Sequence, residues 1–197
     1  MARELEHRES LGRMRPGCRV VEAAEVYTLD SWLERMWEAS RPECVLLPAA
    51  AERVVWEQII DDDARANPGA LPAGMADLLD RSNLARLAAD AWRRIHDYAR
   101  PPAALTDLTV ETAAFARWSK QFATCLDENL WASRPQLTAE VTAAIANGGL
   151  ELPKEIVFRG FERSWPALDR LVDCFRTSGA TVSADWEADE ARPGVPT

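Results

Sequence analysis

The last quarter of the chain shows the apolar pattern of a strand, a helix and a second strand. Residues 156–158, Ile-Val-Phe, form an apolar run without polar alternation, which predicts a strand buried on both faces of a parallel sheet. Residues 180–184, Ala-Thr-Val-Ser-Ala, predict the next strand. A helical face recurs between them at i, i+3, i+4 and i+7, formed by Leu168, Leu171, Val172 and Phe175. The segment therefore predicts a βαβ crossover.

Three residues indicate where this helix begins and ends. Ser164 is the predicted N-cap, and Pro166 falls in the first turn, where its missing N–H costs little. Gly179 stands where a residue with a left-handed backbone commonly ends a helix.

A strongly amphipathic helix is predicted nearer the N-terminus. Thr28 is its expected N-cap, and the Arg-Pro pair at 41–42 ends it. Its apolar face consists of Leu29, Trp32, Leu33, Met36 and Trp37. Before it, residues 1–15 favour a helix and residues 19–22, Arg-Val-Val-Glu, favour a short strand.

Residues 48–147 show only helical periodicity, with breaks at 67–74, 100–102 and 147–149. Four apolar faces are predicted: Val54, Val55 and Ile59 in a helix opened by Pro48; Leu84, Leu87, Ala88, Ala91, Ile95 and Tyr98; Phe115, Trp118, Phe122, Cys125 and Leu126; and Leu137, Val141, Ala144 and Ile145. This block is predicted to be a helical bundle.

Together these patterns predict a predominantly α protein with a small α/β core of parallel strands and a helical-bundle insertion. We expect the core at residues 1–45 and 151–190, the insertion at 46–150, and a disordered tail at 191–197.

Composition and charge narrow the possible partners. The 197 residues are 47% hydrophobic and include eight tryptophans, which is typical of a packed globular protein. No apolar stretch approaches the ~20 residues that cross a bilayer, and the charged N-terminus is unlike a signal peptide, so a cytoplasmic protein without membrane contact is expected. The net charge is −9, and residues 20–80 carry four Arg against thirteen acidic residues. That segment should repel DNA, so any DNA contact is expected elsewhere.

The chemistry of a nucleotide site is missing from the predicted strand–helix unit. In helicase-like ATPases a strand of this kind ends in adjacent acidic residues that hold Mg²⁺ beside the phosphates. Here Arg159 and Gly160 follow the strand, and Glu162 is the only nearby carboxylate. The chain has no Gly-x-x-x-x-Gly-Lys-Ser/Thr loop. We therefore expect no enzymatic activity and no cofactor.

Metal and thiol chemistry is also not expected. Three consecutive carboxylates at 61–63 diverge around a helix, so they predict a solvated helix end rather than a cation site. The four cysteines lack a Cys-x-x-Cys pair, which argues against a metal site or a disulfide framework. Cys125 and Cys174 fall on apolar faces and are expected to be buried free thiols.

Two possible acid–base arrangements remain incomplete. His96 lies near Asp90 and Asp97 in sequence, but no nucleophile at a suitable spacing completes a site, so a surface histidine is predicted. Residues 151–155 contain Glu and Lys as in the end of a PD-(D/E)XK nuclease site, but Pro153 interrupts them before the strand begins.

Aromatic and basic residues are the candidates for nucleic-acid contact. Five tryptophans could stack on bases, but they share helical faces with Leu, Met and Phe, which favours core packing: Trp32, Trp37, Trp92, Trp118 and Trp165. The most basic stretch contains Arg81, Arg86, Arg93, Arg94 and Arg100, opposed by Asp80, Asp90 and Asp97. A solvated, ion-paired face is one interpretation; contact with a DNA backbone through Arg86, Arg93 and Arg94 is the other.

Residues 21–38, 47–60, 88–97 and 157–163 occur in an order that resembles the N-terminal region of bacterial AddB/RecB-like proteins, probable DNA repair proteins of the PD-(D/E)XK nuclease superfamily. The resemblance covers about residues 2–184 and consists mainly of apolar patterns anchored by Trp and Gly-Phe. It implies a superfamily-1 helicase-like core interrupted by a helical subdomain, with the nuclease site downstream of this chain. The first strand and phosphate loop of such a core are absent, as is everything after its third strand, so we expect a fragment, a truncated gene product or a stand-alone remnant.

The resemblance implies a non-catalytic helicase-like segment with a scaffold or DNA-tracking role, whose partner is single-stranded or tailed DNA. The alternative is a stand-alone helical module that docks a basic protein through its acidic residues 20–80. A third hypothesis, a metal-dependent hydrolase, has little support in the residues. A sheet that lacks its first strand also predicts a homodimer through the exposed edge.

Overall fold

The computed structural model describes residues 25–40, 42–68, 80–98 and 109–186. This part of the protein is predominantly helical, as predicted, and contains two pairs of short strands. The helices are α1 (Leu29–Ala39), α2 (Ala49–Ala66), α3 (Arg81–Asp97), α4 (Val110–Asn129), α5 (Leu137–Ala146) and α6 (Pro166–Thr177); the strands are β1 (Val45–Leu46), β2 (Trp131–Ala132), β3 (Glu155–Phe158) and β4 (Thr181–Ala184). Predictions for residues 1–15, 19–22, 69–74, 100–102 and 191–197 lie outside the described residues.

The C-terminal strand–helix–strand unit is confirmed. β3 and β4 are parallel, with Glu155 opposite Thr181 and Phe158 opposite Ala184, and α6 connects them. The prediction of a strand buried on both faces is wrong, because Val157 is 39% exposed and only Phe158 of β3 is buried. In the described chain each of these strands pairs with the other alone.

The ends of α6 agree with the sequence at two of three positions. Pro166 is the first helical residue, and Gly179 has a φ of +92°, the left-handed conformation that glycine adopts without strain. Ser164 is not the N-cap; Trp165 occupies that position, and the Ser164 hydroxyl instead donates to the Asp169 carboxylate. The hydroxyl that was expected to cap the helix is therefore hydrogen-bonded to Asp169, a carboxylate in the first turn.

The first hydrophobic cluster lies between α1, α5 and α6. The α6 face of Leu168, Leu171, Val172 and Phe175 is fully buried in it. Trp32 of α1 meets Phe175 edge to face, with ring centroids 5.4 Å apart. α1 starts as predicted, since the Thr28 hydroxyl accepts from the Ser31 N–H at 3.2 Å. This cluster also covers the buried end of β3 at Phe158.

The second hydrophobic cluster joins α2, α3 and α4. Trp56 of α2 lies at its centre, stacked on Phe122 of α4 at 4.1 Å and edge-on to Trp92 of α3 at 6.1 Å between centroids. Two predicted helical faces are therefore partly wrong, because Val54, Leu87 and Tyr98 are exposed. Trp56 and Trp92, the largest apolar side chains of α2 and α3, orient these helices. Trp92 was predicted to be in the core, whereas the predicted face of α2 did not include Trp56.

The helix at 137–146 packs with the first cluster rather than with the other three helices of its block. Its buried residues are Leu137, Val141 and Ile145, which pack against residues of α1 and α6. The Trp37 indole of α1 donates to the Glu140 carboxylate of this helix. The all-helical block thus contributes to both clusters.

A short parallel pair that the sequence does not indicate connects the two clusters. β1 pairs with β2, with Val45 opposite Trp131 and Leu46 opposite Ala132. The Leu47 N–H extends this pairing by donating to the Ala132 carbonyl at 2.8 Å. Leu47 packs in the second cluster and Ala132 in the first, so this backbone pairing fixes one cluster against the other.

Candidate nucleic-acid interface

Helix α3 positions the predicted DNA-contact residues. It begins at Asp80, whose carboxylate accepts from the Asn83 N–H at 2.8 Å. Its inner face is buried in the second cluster and consists of Leu84, Ala85, Ala88 and Trp92. The Trp92 indole also donates to the Ser133 hydroxyl at 2.9 Å, which fixes the rotation of the helix. The opposite face is therefore held outward.

The three candidate arginines lie on the outward face of α3 and differ in whether they form an ion pair. Arg86 forms an ion pair with Asp90 at 3.3 Å, one helical turn away, and both side chains are well exposed. Such an exposed ion pair contributes less than about 1 kcal/mol to stability. A phosphate can therefore compete with Asp90 for the guanidinium of Arg86. Arg93 and Arg94 are exposed, and neither forms an ion pair with a described residue. Arg81 is engaged with Asp61 at 2.8 Å, and Arg100 lies outside the described residues.

Two carboxylates moderate the positive charge of Arg93. Burial raises the pKa of Asp97, the charge of Arg93 opposes that rise, and Asp30 of α1 adds to it. Burial also raises the pKa of Glu52 on α2, against the hydrogen bond from Trp56 and the charge of Arg93. Arg93 therefore lies close enough to both carboxylates to interact with them electrostatically.

The tryptophans belong to the core, as predicted. Trp37, Trp92 and Trp118 are buried, and Trp32 and Trp165 are partly buried against the first cluster. The remaining three, Trp56, Trp131 and Trp186, are likewise buried or partly buried. Five of the eight are buried, and Trp32, Trp131 and Trp165 keep part of their surface exposed.

The ends of β3 and β4 bring together residues that lie far apart in sequence. The Gly160 N–H donates to Asp185 Oδ2 at 2.9 Å, and Arg159 Nη1 lies 4.0 Å from Asp185 Oδ1. Glu162 is exposed and takes no part in this contact. Sequence reasoning missed Asp185; its position directly after β4 is the available signal, because parallel strands end at the same edge. In the described ranges no three His, Cys, Asp or Glu side chains are grouped as metal ligands.

The prediction of a solvated helix end at residues 61–63 is wrong for Asp63. This carboxylate is 3% exposed and accepts from Arg117 Nε at 3.0 Å, Arg117 Nη2 at 2.8 Å and the Trp118 indole at 2.7 Å. Asn67 Nδ2 donates to it at 2.7 Å. The guanidinium, together with the indole and amide hydrogen bonds, holds the pKa of Asp63 below its usual range despite burial. Asp63 lies seven residues after Trp56, on the same buried side of α2.

His96 is also not the surface histidine that was predicted. It lies four residues after Trp92, and the two rings meet edge to face at 4.5 Å between centroids. Its Nε2 is buried and has no hydrogen-bond partner in the described structure. Burial lowers the pKa of His96 to about 4, so the neutral imidazole packs as an apolar ring.

The cysteines are less buried than predicted. Cys44, Cys125 and Cys174 are free thiols of intermediate exposure. The Cys174 thiol donates to the Thr142 carbonyl at 3.5 Å, which links α6 to α5.

Comparisons of the chain with protein-family models, with curated proteins and with solved structures gave no match. Among the described helices none is long and apolar enough to span a bilayer.

Proposed function

We propose that this chain is a non-catalytic helicase-like segment of a bacterial DNA-repair helicase–nuclease, in which it acts as a scaffold and contacts the DNA backbone through α3. The observation that carries the proposal is the placement of Arg93 and Arg94, which are held outward by the buried face of their helix and form no ion pair with the described residues. Guanidinium groups in this state are suited to phosphate oxygens.

The C-terminal unit supports the helicase-like part of this proposal. β3, α6 and β4 form a parallel crossover, the unit from which helicase-like cores are built. Arg159 and Gly160 stand after β3, where an ATPase would place acidic residues, which supports a structural rather than a catalytic role.

The acidic segment gives less support to the alternative of a protein-docking module. Ion pairs within the chain already engage five of its carboxylates: Glu34, Glu57, Asp61, Asp62 and Asp63. These pairs leave fewer carboxylates of the segment open to a basic partner, so DNA contact through α3 is the function that we favour.

The test is the anisotropy of a labelled single strand and of a tailed duplex, titrated with the full chain across a salt series. Two or three phosphate contacts predict a log–log slope of about −1.4 to −2.1 for the single strand. The double variant R93E/R94E should bind at least tenfold more weakly at low salt. R163E/R170E, which reverses two exposed arginines outside α3, is the matched control and should bind nearly as well as the original chain.

Absence of binding at low salt would overturn the proposal. Equal weakening by the two double variants would also contradict it, because a response to net charge alone is not a site.

A further inference from the structure

The surface of α3 offers one aromatic ring beside its arginines. Tyr98 caps the C-terminus of the helix, and its side chain is 57% exposed. The chain has two tyrosines, and the other, Tyr27, is already occupied by Arg35, which donates to its hydroxyl and lies 5.2 Å above its ring. Every tryptophan is buried or partly buried, so Tyr98 is the exposed aromatic ring without such a cover in the described chain.

Helical geometry places Tyr98 beside Arg94. The two residues are four apart, so their side chains are neighbours on one face, about 6 Å apart along the axis. The backbone continues as a helix through this step, since the Tyr98 N–H donates to the Arg94 carbonyl at 2.9 Å. Leu87, seven residues before Arg94, is 46% exposed on the same side. Apolar, cationic and aromatic side chains thus follow one another along the helix.

We infer that α3 binds single-stranded nucleic acid in preference to duplex, with Tyr98 stacking on a base while Arg94 and Arg93 hold the adjoining phosphates. This inference rests on the proposed DNA contact of α3. A duplex presents phosphates to the arginines but keeps its bases stacked on one another, so Tyr98 contributes nothing to duplex binding. An unpaired base has a free face, and stacking on an aromatic side chain is tolerant of sequence.

The modest positive charge of this surface supports the same ligand. Asp90 and Asp97 lie between or beside the arginines, so long-range attraction to phosphates is weak. A site of this kind needs a contact that does not depend on charge, and the ring supplies it. Binding to a single strand should therefore retain part of its strength in salt.

The experiment compares the full chain with Tyr98→Ala and Tyr98→Phe on a labelled oligothymidine and on a blunt duplex of equal length. Tyr98→Ala should weaken binding to the single strand by about tenfold and leave duplex binding unchanged. Tyr98→Phe keeps the ring and should bind like the original chain. Leu130→Ala is the matched control, because it removes a side chain of similar exposure outside α3.

The outcomes separate this inference from the function on which it rests. If R93E/R94E weakens binding but Tyr98→Ala does not, the stacking inference is overturned and the backbone contact stands. If Tyr98→Ala weakens both DNA forms equally, the preference for single strands is overturned. If the original chain binds neither DNA at low salt, both proposals are overturned. Far-ultraviolet circular dichroism of each variant confirms that the fold is intact before any of these results is accepted.

Discussion

Among single residues, Asp63 is a buried carboxylate held by hydrogen bonds from several side chains. A carboxylate that is 3% exposed is stable only because Arg117, Trp118 and Asn67 together supply four hydrogen bonds. Arg117 comes 54 residues later in the sequence, so the contact ties the end of α2 to α4. It closes one side of the second cluster.

Asp63→Ala should therefore destabilise the protein much more than the same change at its neighbour. Loss of the carboxylate leaves the guanidinium of Arg117 and the indole of Trp118 without their acceptor. We expect this to lower the free energy of unfolding by about 3 kcal/mol, the lower end of the range for breaking a buried ion pair, because Arg117 is 38% exposed. Asp62→Ala removes only an exposed ion pair with Arg65 and should cost at most about 1 kcal/mol. Urea denaturation of both variants measures the difference. Equal costs would show that the buried network contributes little to stability.

Because His96 is buried in the folded protein, we expect the protein to lose stability in mild acid. Its pKa is about 4 in the folded protein and 6.5 when unperturbed, so between these values the unfolded chain binds the proton more readily. The stability that this residue contributes is complete above pH 6.5 and falls by about 1.4 kcal/mol per pH unit below it. Glu52 and Asp97, whose pKa values are raised, act in the opposite direction.

His96→Phe isolates this effect because the ring is kept and the titrating group is removed. We expect the variant to gain about 2 kcal/mol relative to the original chain between pH 7.5 and pH 5, measured by urea denaturation at both values. A constant difference between the two proteins across this range would mean that His96 titrates normally. That result would contradict the buried position of its Nε2.

Among elements, the helices that combine a periodic apolar face with a capping residue, proline or glycine at an end were predicted well. α1 starts at its threonine cap, and α6 begins at Pro166 and is followed by Gly179, so local chemistry sets their limits. α2 and α3 were found as helices, but their orientations were partly misjudged at Val54 and Leu87. Which side of such a helix is buried depends on the tryptophans of its neighbours, and periodicity alone does not give this.

Other elements have no pattern that a sequence can show. β1 and β2 are two residues each, too short for alternation, and they exist because the backbone of one cluster meets that of the other. The burial of Asp63 and the approach of Asp185 to Gly160 likewise depend on partners that folding brings together. The exposed position of the α3 arginines could be predicted from the sequence, because position on a helix follows from periodicity, whereas their contact with DNA stays a prediction.

For the whole molecule, the open sheet predicts self-association. In the described chain β3 and β4 pair only with each other, and a two-stranded parallel sheet leaves unpaired N–H and C=O groups at its edges. Val157 is 39% exposed on this sheet and adds an apolar contact. We expect a second copy to pair at an edge, giving a dimer whose fraction rises with protein concentration.

Charge gives this dimer a salt dependence opposite to that of DNA binding. Two chains of net charge −9 repel each other, and salt screens that repulsion, so the dimer should strengthen with salt while the DNA complex weakens. Val157→Lys places a charge beside the edge and should shift the chain to the monomer, whereas Val110→Lys, on α4, adds the same charge elsewhere and should not. Light scattering over a concentration and salt series tests both statements. A monomeric mass at high concentration and high salt would show that the edge is closed in solution, and the expected dimer would then be wrong.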